Sequence, residues 1–363
     1  MLPSRFVTDA SKGTAALQHV FRWDLDKTYL HTNFDTWLDI VRTAVEKPEG
    51  KRTVAGAAAL IRELRATIPC RITILSGSPE QMRNTLEAKL RLDGVQWDEF
   101  VLKPSLRNLV RLRFRALRDQ VGYKLPALLA ARTRCPVGVP ETLFGDDAEA
   151  DALVYSLYAD ILAGRVDDKL LTAVMEHAQS YPDAVAETIR LVHKVERADP
   201  VRRIFIHLER RSDPAFFRRY GARVVPITHY FQAALVLTRD GVLSPASAAH
   251  VATSFLAEGS HSADELVRGA ADLVARGHLT PDDLRPVAEP LAAAPALDAA
   301  ARETLARGFE AITPRDATTD DEADGDGTID YLAALFDDRA RWEAASREAK
   351  GARRAKRRPK RDG

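Results

Sequence analysis

In Phe21-Arg22-Trp23-Asp24-Leu25-Asp26-Lys27-Thr28 a hydrophobic run ends in two carboxylates and a threonine, each two residues from the last. That is the pattern of a buried strand delivering acidic groups to a sheet edge, with Asp24, Asp26 and Thr28 aimed roughly the same way. Two carboxylates this close repel, so the arrangement costs free energy unless a cation lies between them or one keeps a proton. The segment is therefore a candidate site for magnesium or for acid/base chemistry.

Further strands are expected at 71–75, 99–102, 142–144, 203–208 and 223–227. The strand at 71–75 runs into the polar turn Ser76-Gly77-Ser78-Pro79, and that at 142–144 feeds Gly145-Asp146-Asp147-Ala148-Glu149-Ala150-Asp151. Between them, apolar spacing predicts helices over 53–66, with Thr53 as N-cap, and over 80–92. A helix over 106–121 is ended by Gly122, and another starts at Pro126, which puts Lys124 just ahead of a helix. Helices to Ile161, over 168–179 and over 183–196 follow. Strands alternating with helices at this interval give a mostly parallel α/β sheet, whose ligands bind beyond the carboxyl ends of the strands.

The 363 residues divide into an α/β domain over 1–240 with a helical insertion near 166–200, a helical annex over 241–312, and a terminal region over 313–363. The annex is Ala-rich, and Gly241-Val242-Leu243-Ser244-Pro245 is echoed by Gly277-His278-Leu279-Thr280-Pro281, two helix-start signals. The terminal region joins an acidic linker to a short helix near 329–349 and a basic end, and is expected to be partly disordered. Asp324 to Asp330 mimics part of an EF-hand loop, but Ala333 stands where the bidentate Glu belongs, so an acidic linker is the simpler account.

With 53 Lys and Arg against 52 Asp and Glu, net charge gives no reason to invoke nucleic acid or membrane for the whole molecule. Any such contact rests on local charge. The candidate is Arg353 to Arg361, which suits an anionic membrane surface or nucleic acid, while the stripe Arg107, Arg111, Arg115 and Arg118 reads as a solvated helix face. Cys70 and Cys135 share no metal-ligand spacing and read as free thiols of a reducing compartment. His207, His229, His250 and His261 likewise share no metal spacing. The absence of a signal-type segment or an apolar span leads us to expect a soluble, cytoplasmic protein with no transmembrane segment.

Four features arrive in order: Asp24-Leu25-Asp26-Lys27-Thr28, Ser76 after a strand, Lys124, and Gly145-Asp146-Asp147 with Asp151. In this order they resemble the haloacid-dehalogenase-like (HAD) hydrolase superfamily, whose phosphatases use an aspartate nucleophile and magnesium. Ile74-Leu75-Ser76-Gly77-Ser78-Pro79, Tyr123-Lys124 and Phe144-Gly145-Asp146 look like the catalytic domain of the actin-patch-associated phosphatidate phosphatases, over roughly residues 18 to 237. Tyr123 stands where that family has His, and Asp147-Ala148-Glu149 where it has Ser-Gly-Gln.

The resemblance implies a HAD-like Rossmannoid sheet with a small or absent cap. It implies Asp24 as nucleophile, Asp26 as acid/base and Lys124 as the charge neutralising Asp24 and phosphate, helped by a helix N-terminus. Ser76, Gly77 and Thr28 would contact the phosphate, and magnesium would be held by Asp24, Asp26 through its carbonyl, and Asp146, with Asp151 or Asp147 nearby. The expected activity is magnesium-dependent phosphomonoester hydrolysis through an aspartyl-phosphate, on a phosphorylated small molecule or a phosphatidate-like lipid. Alternatives are nucleotide, sugar or nucleic-acid-end phosphates, or a non-catalytic scaffold that binds through its annex.

Overall fold

The computed structural model describes residues 16–30, 53–103, 117–258, 261–314 and 328–341. Six strands form one parallel sheet: β1 (His19–Asp24), β2 (Cys70–Pro79), β3 (Glu99–Lys103), β4 (Glu141–Asp146), β5 (Val201–His207) and β6 (Val224–Ile227). Their order is β3-β2-β1-β4-β5-β6, a Rossmann-like α/β arrangement. The chain builds outward from β1 to β3, then returns to the other side of β1 and builds outward again. Connections leaving β1 and β4 therefore part in opposite directions and open a crevice at the carboxyl ends of these two strands.

Period-two alternation gives the sheet two buried faces. Trp23, Phe144 and Phe205 stand in register on β1, β4 and β5, and their rings stack with centroids 3.8 and 5.1 Å apart. Over this face lie α1 (Ala57–Thr67), α2 (Arg83–Leu92) and α7 (Tyr230–Arg239). The opposite face, with Leu75, Leu143 and Ile204, is covered by α3 (Leu117–Arg132), α4 (Asp151–Leu162), α5 (Asp168–His177) and α6 (Pro182–Lys194). Arg22, the polar residue within the opening hydrophobic run, is fully buried and forks onto Glu141 at 3.1 and 2.7 Å. Arg132 and the Tyr158 hydroxyl also bond Glu141, which explains how the sheet tolerates buried charge there.

The annex helices α8 (Pro245–Ala257), α9 (Ala263–Ala275), α10 (Pro281–Ala293) and α11 (Ala299–Glu310) stack outside α1 and α7. Leu266, Leu273, Leu284 and Phe309 belong to the same apolar core as Trp23 and Tyr230. Ser244 caps α8 by accepting from the Ser247 N–H at 3.0 Å, and Thr280 and Asp283 form a capping box on α10. A final helix α12 at 331–341 returns to the opposite face, where the Tyr331 hydroxyl donates to Asp160 at 2.6 Å. Arg341 lies 3.9 Å from the Phe216 ring centroid and donates to Ser212 Oγ at 2.8 Å. No helix among the described residues is long and apolar enough to cross a membrane.

Three local expectations are corrected. Helix α1 starts after Gly56, whose left-handed φ of 77° sets the turn, while the Thr53 hydroxyl donates to Asp93 instead. Ser76-Gly77-Ser78-Pro79 is the bulged, extended end of β2 rather than a separate turn. Gly122 and Pro126 do not separate two helices, because α3 runs through both. Its residues Val121, Leu125, Leu128 and Leu129 are all fully buried, and that packing outweighs the propensity cost of Gly and Pro. Pro126 also follows Gly122 by four residues, so the carbonyl its ring crowds belongs to the most adaptable residue type. The Tyr29-to-Lys51 excursion beyond Leu30, the arginine stripe's side chains, the acidic linker and the basic tail lie outside the described residues.

Candidate functional site

Asp24 ends β1, Ser76 lies near the end of β2 and Asp146 ends β4, so three adjacent strands deliver polar groups to one crevice. All three side chains are buried. Gly145 is required beside them, because a Cβ there would run into the Asp151 carboxylate. Asp151 is the first residue of α4, and its Oδ2 accepts from the Asp146 N–H at 3.1 Å.

Lys124 reaches this cluster from the middle of α3, not from ahead of a helix, so its support comes from carboxylates and not from a helix N-terminus. Its ammonium pairs with Asp24 Oδ1 at 2.8 Å, with Glu149 Oε2 at 2.8 Å and with Asp151 Oδ1. Burial disfavours the ammonium, yet Asp151, Asp24 and Glu149 together hold its pKa well above the ordinary lysine range. Burial likewise resists ionisation of Glu149, but Lys124 keeps that carboxyl below its usual range.

Asp24 and Asp26 have different surroundings. The Asp26 Oδ2 accepts from Ser76 Oγ at 2.7 Å and Ser78 Oγ at 3.1 Å, while its Oδ1 is buried with no hydrogen-bond partner among the described residues. Burial raises the Asp26 pKa against the opposing bond from Ser76. Asp24 is pushed well above the carboxylate range by burial, with Lys124 pulling the other way and Asp151, Glu149 and Asp146 adding to the rise. Asp146 is raised for the same reasons, burial first and then Asp151 and Glu149.

Thr28 lies between two of these acids, with Oγ1 3.3 Å from Asp24 Oδ2 and 3.4 Å from Asp146 Oδ2. Its hydroxyl can donate to one of them at a time. The Tyr230 hydroxyl donates to the Thr28 carbonyl at 2.5 Å, so the helix on the first face fixes the loop after β1. Asp146 Oδ1 is already occupied by the N–H groups of Ala148 and Glu149 at 2.6 and 2.9 Å, which leaves Oδ2 facing Asp24. Gly77 in the β2 bulge has open space where a side chain would be.

Asp147, a candidate additional cation ligand, does not join the cluster. Its carboxylate accepts from the N–H groups of Arg210 and Ser212 at 2.8 and 3.0 Å and pins the loop after β5. Asp151 joins it as a lysine partner. Glu149 belongs to the cluster although the sequence reads equally well as a solvent-facing residue of the first turn of a helix. Ser78 and Tyr123 were also missed: the first holds Asp26, and the second donates its hydroxyl to the Ser76 carbonyl at 3.1 Å.

Asp24, Glu149 and Asp151 each offer an oxygen within 4.8 Å of the others, a geometry that could hold a cation. The Lys124 ammonium already sits against all three. Asp24 Oδ2 and Asp146 Oδ2 both approach Thr28 Oγ1, at 3.3 and 3.4 Å. An all-oxygen donor set suits magnesium, manganese or calcium.

Raised folded-state pKa values mean that these acids favour the fold at low pH and lose that contribution as pH rises through the folded values. A cation bound among them would replace the protons, and magnesium would then stabilise more at mildly alkaline than at acidic pH. Thermal melting with and without magnesium should show a gain of about 2.7 kcal/mol at a hundred times the dissociation constant. A shift of equal size across pH would mean that the cation binds away from these carboxyls.

Comparison with models of protein families, with curated proteins and with solved structures returned no match for this chain.

Proposed function

We propose that the chain is a magnesium-dependent phosphomonoester hydrolase of the HAD type, acting through an aspartyl-phosphate on Asp24, with phosphatidate-like lipid phosphates as the first candidate substrates. The observation that carries this reading is the different surroundings of Asp24, which ends β1, and Asp26, which lies in the loop after it. Asp24 lies against an ammonium, whereas Asp26 is held on two serine hydroxyls with Oδ1 unpartnered. Two carboxyls in different surroundings suit two roles, nucleophile and acid/base.

In the first step an Asp24 carboxylate oxygen attacks phosphorus and the ester P–O bond breaks, with Asp26 giving its proton to the departing alkoxide. In the second, Asp26 takes a proton from the water that attacks phosphorus, and the bond to Asp24 breaks to release phosphate. Lys124 faces Asp24 throughout and offsets the negative charge gathered there. Magnesium held by Asp24, Asp146 and the Asp26 carbonyl would supply the charge neutralisation that lets an anionic nucleophile meet an anionic phosphate. Ser76 serves this reading chiefly by orienting Asp26, since its hydroxyl already donates there.

Phosphate release should be measured over a panel of lipid, nucleotide, sugar and nucleic-acid-end monoesters. At least one is expected to turn over with magnesium and to stop on chelation. No release from any of them with magnesium present would leave the scaffold reading in its place.

A further inference from the structure

Lys27 is a basic residue beside the site to which the mechanism gives no task. It lies between Asp26 and Thr28, only 8 % exposed, and makes no ion pair with a described residue. Its backbone is left-handed, with φ 65°, a conformation that strains a residue with a Cβ. The conformation is held on both sides: the Lys27 N–H donates to the Leu30 carbonyl at 2.7 Å, and the Lys27 carbonyl lies 3.3 Å from His207 Nδ1. His207 in turn stacks on Tyr230, the residue that fixes Thr28.

Glycine would take this backbone without strain, and a lysine on the surface would keep its water. The chain instead holds a left-handed backbone and a mostly buried lysine at one position beside the acids. The positive charge acts on Asp146 and Glu149, both members of the acid cluster, and lowers the pKa of each. Lys124 is occupied by three carboxylates, whereas Lys27 has no carboxylate partner among the described residues.

We infer that Lys27 binds the phosphoryl group of the substrate, its ammonium facing a dianion beside the Asp24–Asp146 pair, so that the site favours phosphomonoesters over the singly charged diesters. This rests on the phosphatase reading and deepens it. Strain confined to a residue that serves a ligand is a common device for aiming a side chain.

Inorganic phosphate is the probe. Calorimetric titration into the full chain with magnesium, near neutral pH, is expected to show binding that weakens roughly tenfold or more in Lys27→Met and Lys27→Gly. Lys27→Arg should keep most of it, because the charge is retained. Lys27→Gly guards against misfolding of the Met variant, since glycine suits the left-handed backbone. With a monoester substrate the same variants should raise KM far more than they lower kcat. Wild-type binding with equal binding by both variants overturns the role of Lys27 alone. A wild-type chain that neither binds phosphate nor hydrolyses a monoester overturns the phosphatase reading and this inference together.

Discussion

Asp24→Asn is expected to abolish phosphate release, by roughly 10⁴-fold or more, because the amide oxygen cannot attack phosphorus. Its effect on stability should run the other way. Asp24 is buried among Asp146, Asp151 and Glu149 with one ammonium to share, and its pKa is raised by burial and by those acids. Removing its charge relieves repulsion, so without divalent cation the variant should melt at or above the wild-type temperature. Loss of turnover with retained or increased stability is the pattern of a residue kept for chemistry. A large loss of stability would instead mark Asp24 as a structural counter-ion for Lys124.

Lys124→Met should be the most destabilising single substitution in the crevice. It leaves Asp24, Glu149 and Asp151 facing one another without the ammonium that pairs with all three. Breaking buried ion pairs from one side costs about 3–5 kcal/mol, readable as a lowered denaturant midpoint. Adding Asp151→Asn should recover part of that stability and none of the activity. An unchanged midpoint in Lys124→Met would mean that the carboxylates are protonated or that the lysine is not seated among them.

The sheet could be read from the sequence because each strand carries its own apolar run and helices alternate with the strands, three of them lying between β4 and β5. Asp24, Ser76 and Asp146 were legible as a group because topology alone brings the ends of β1, β2 and β4 together. The continuity of α3 through Gly122 and Pro126 was not, since local propensity argues for a break and only the burial of Val121, Leu125, Leu128 and Leu129 explains its absence. The same misreading placed Lys124 at a helix start. Glu149 and Asp147 show a second limit: neighbours in one acidic run, they turn to opposite tasks, one onto Lys124 and the other onto the N–H groups of Arg210 and Ser212. Nothing in the run itself distinguishes them. The shared core of annex and sheet also depends on which faces meet, which the Ala-rich periodicity leaves open.

The most direct test of the proposed Asp24 mechanism is to quench the protein in acid during incubation with a phosphomonoester and map phosphorylated peptides by mass spectrometry. One phosphoryl group is expected on Asp24, formed with magnesium, absent after chelation and absent in Asp24→Asn. Sustained turnover with Asp24 unmodified, or a phosphoryl group on another residue, would contradict the account.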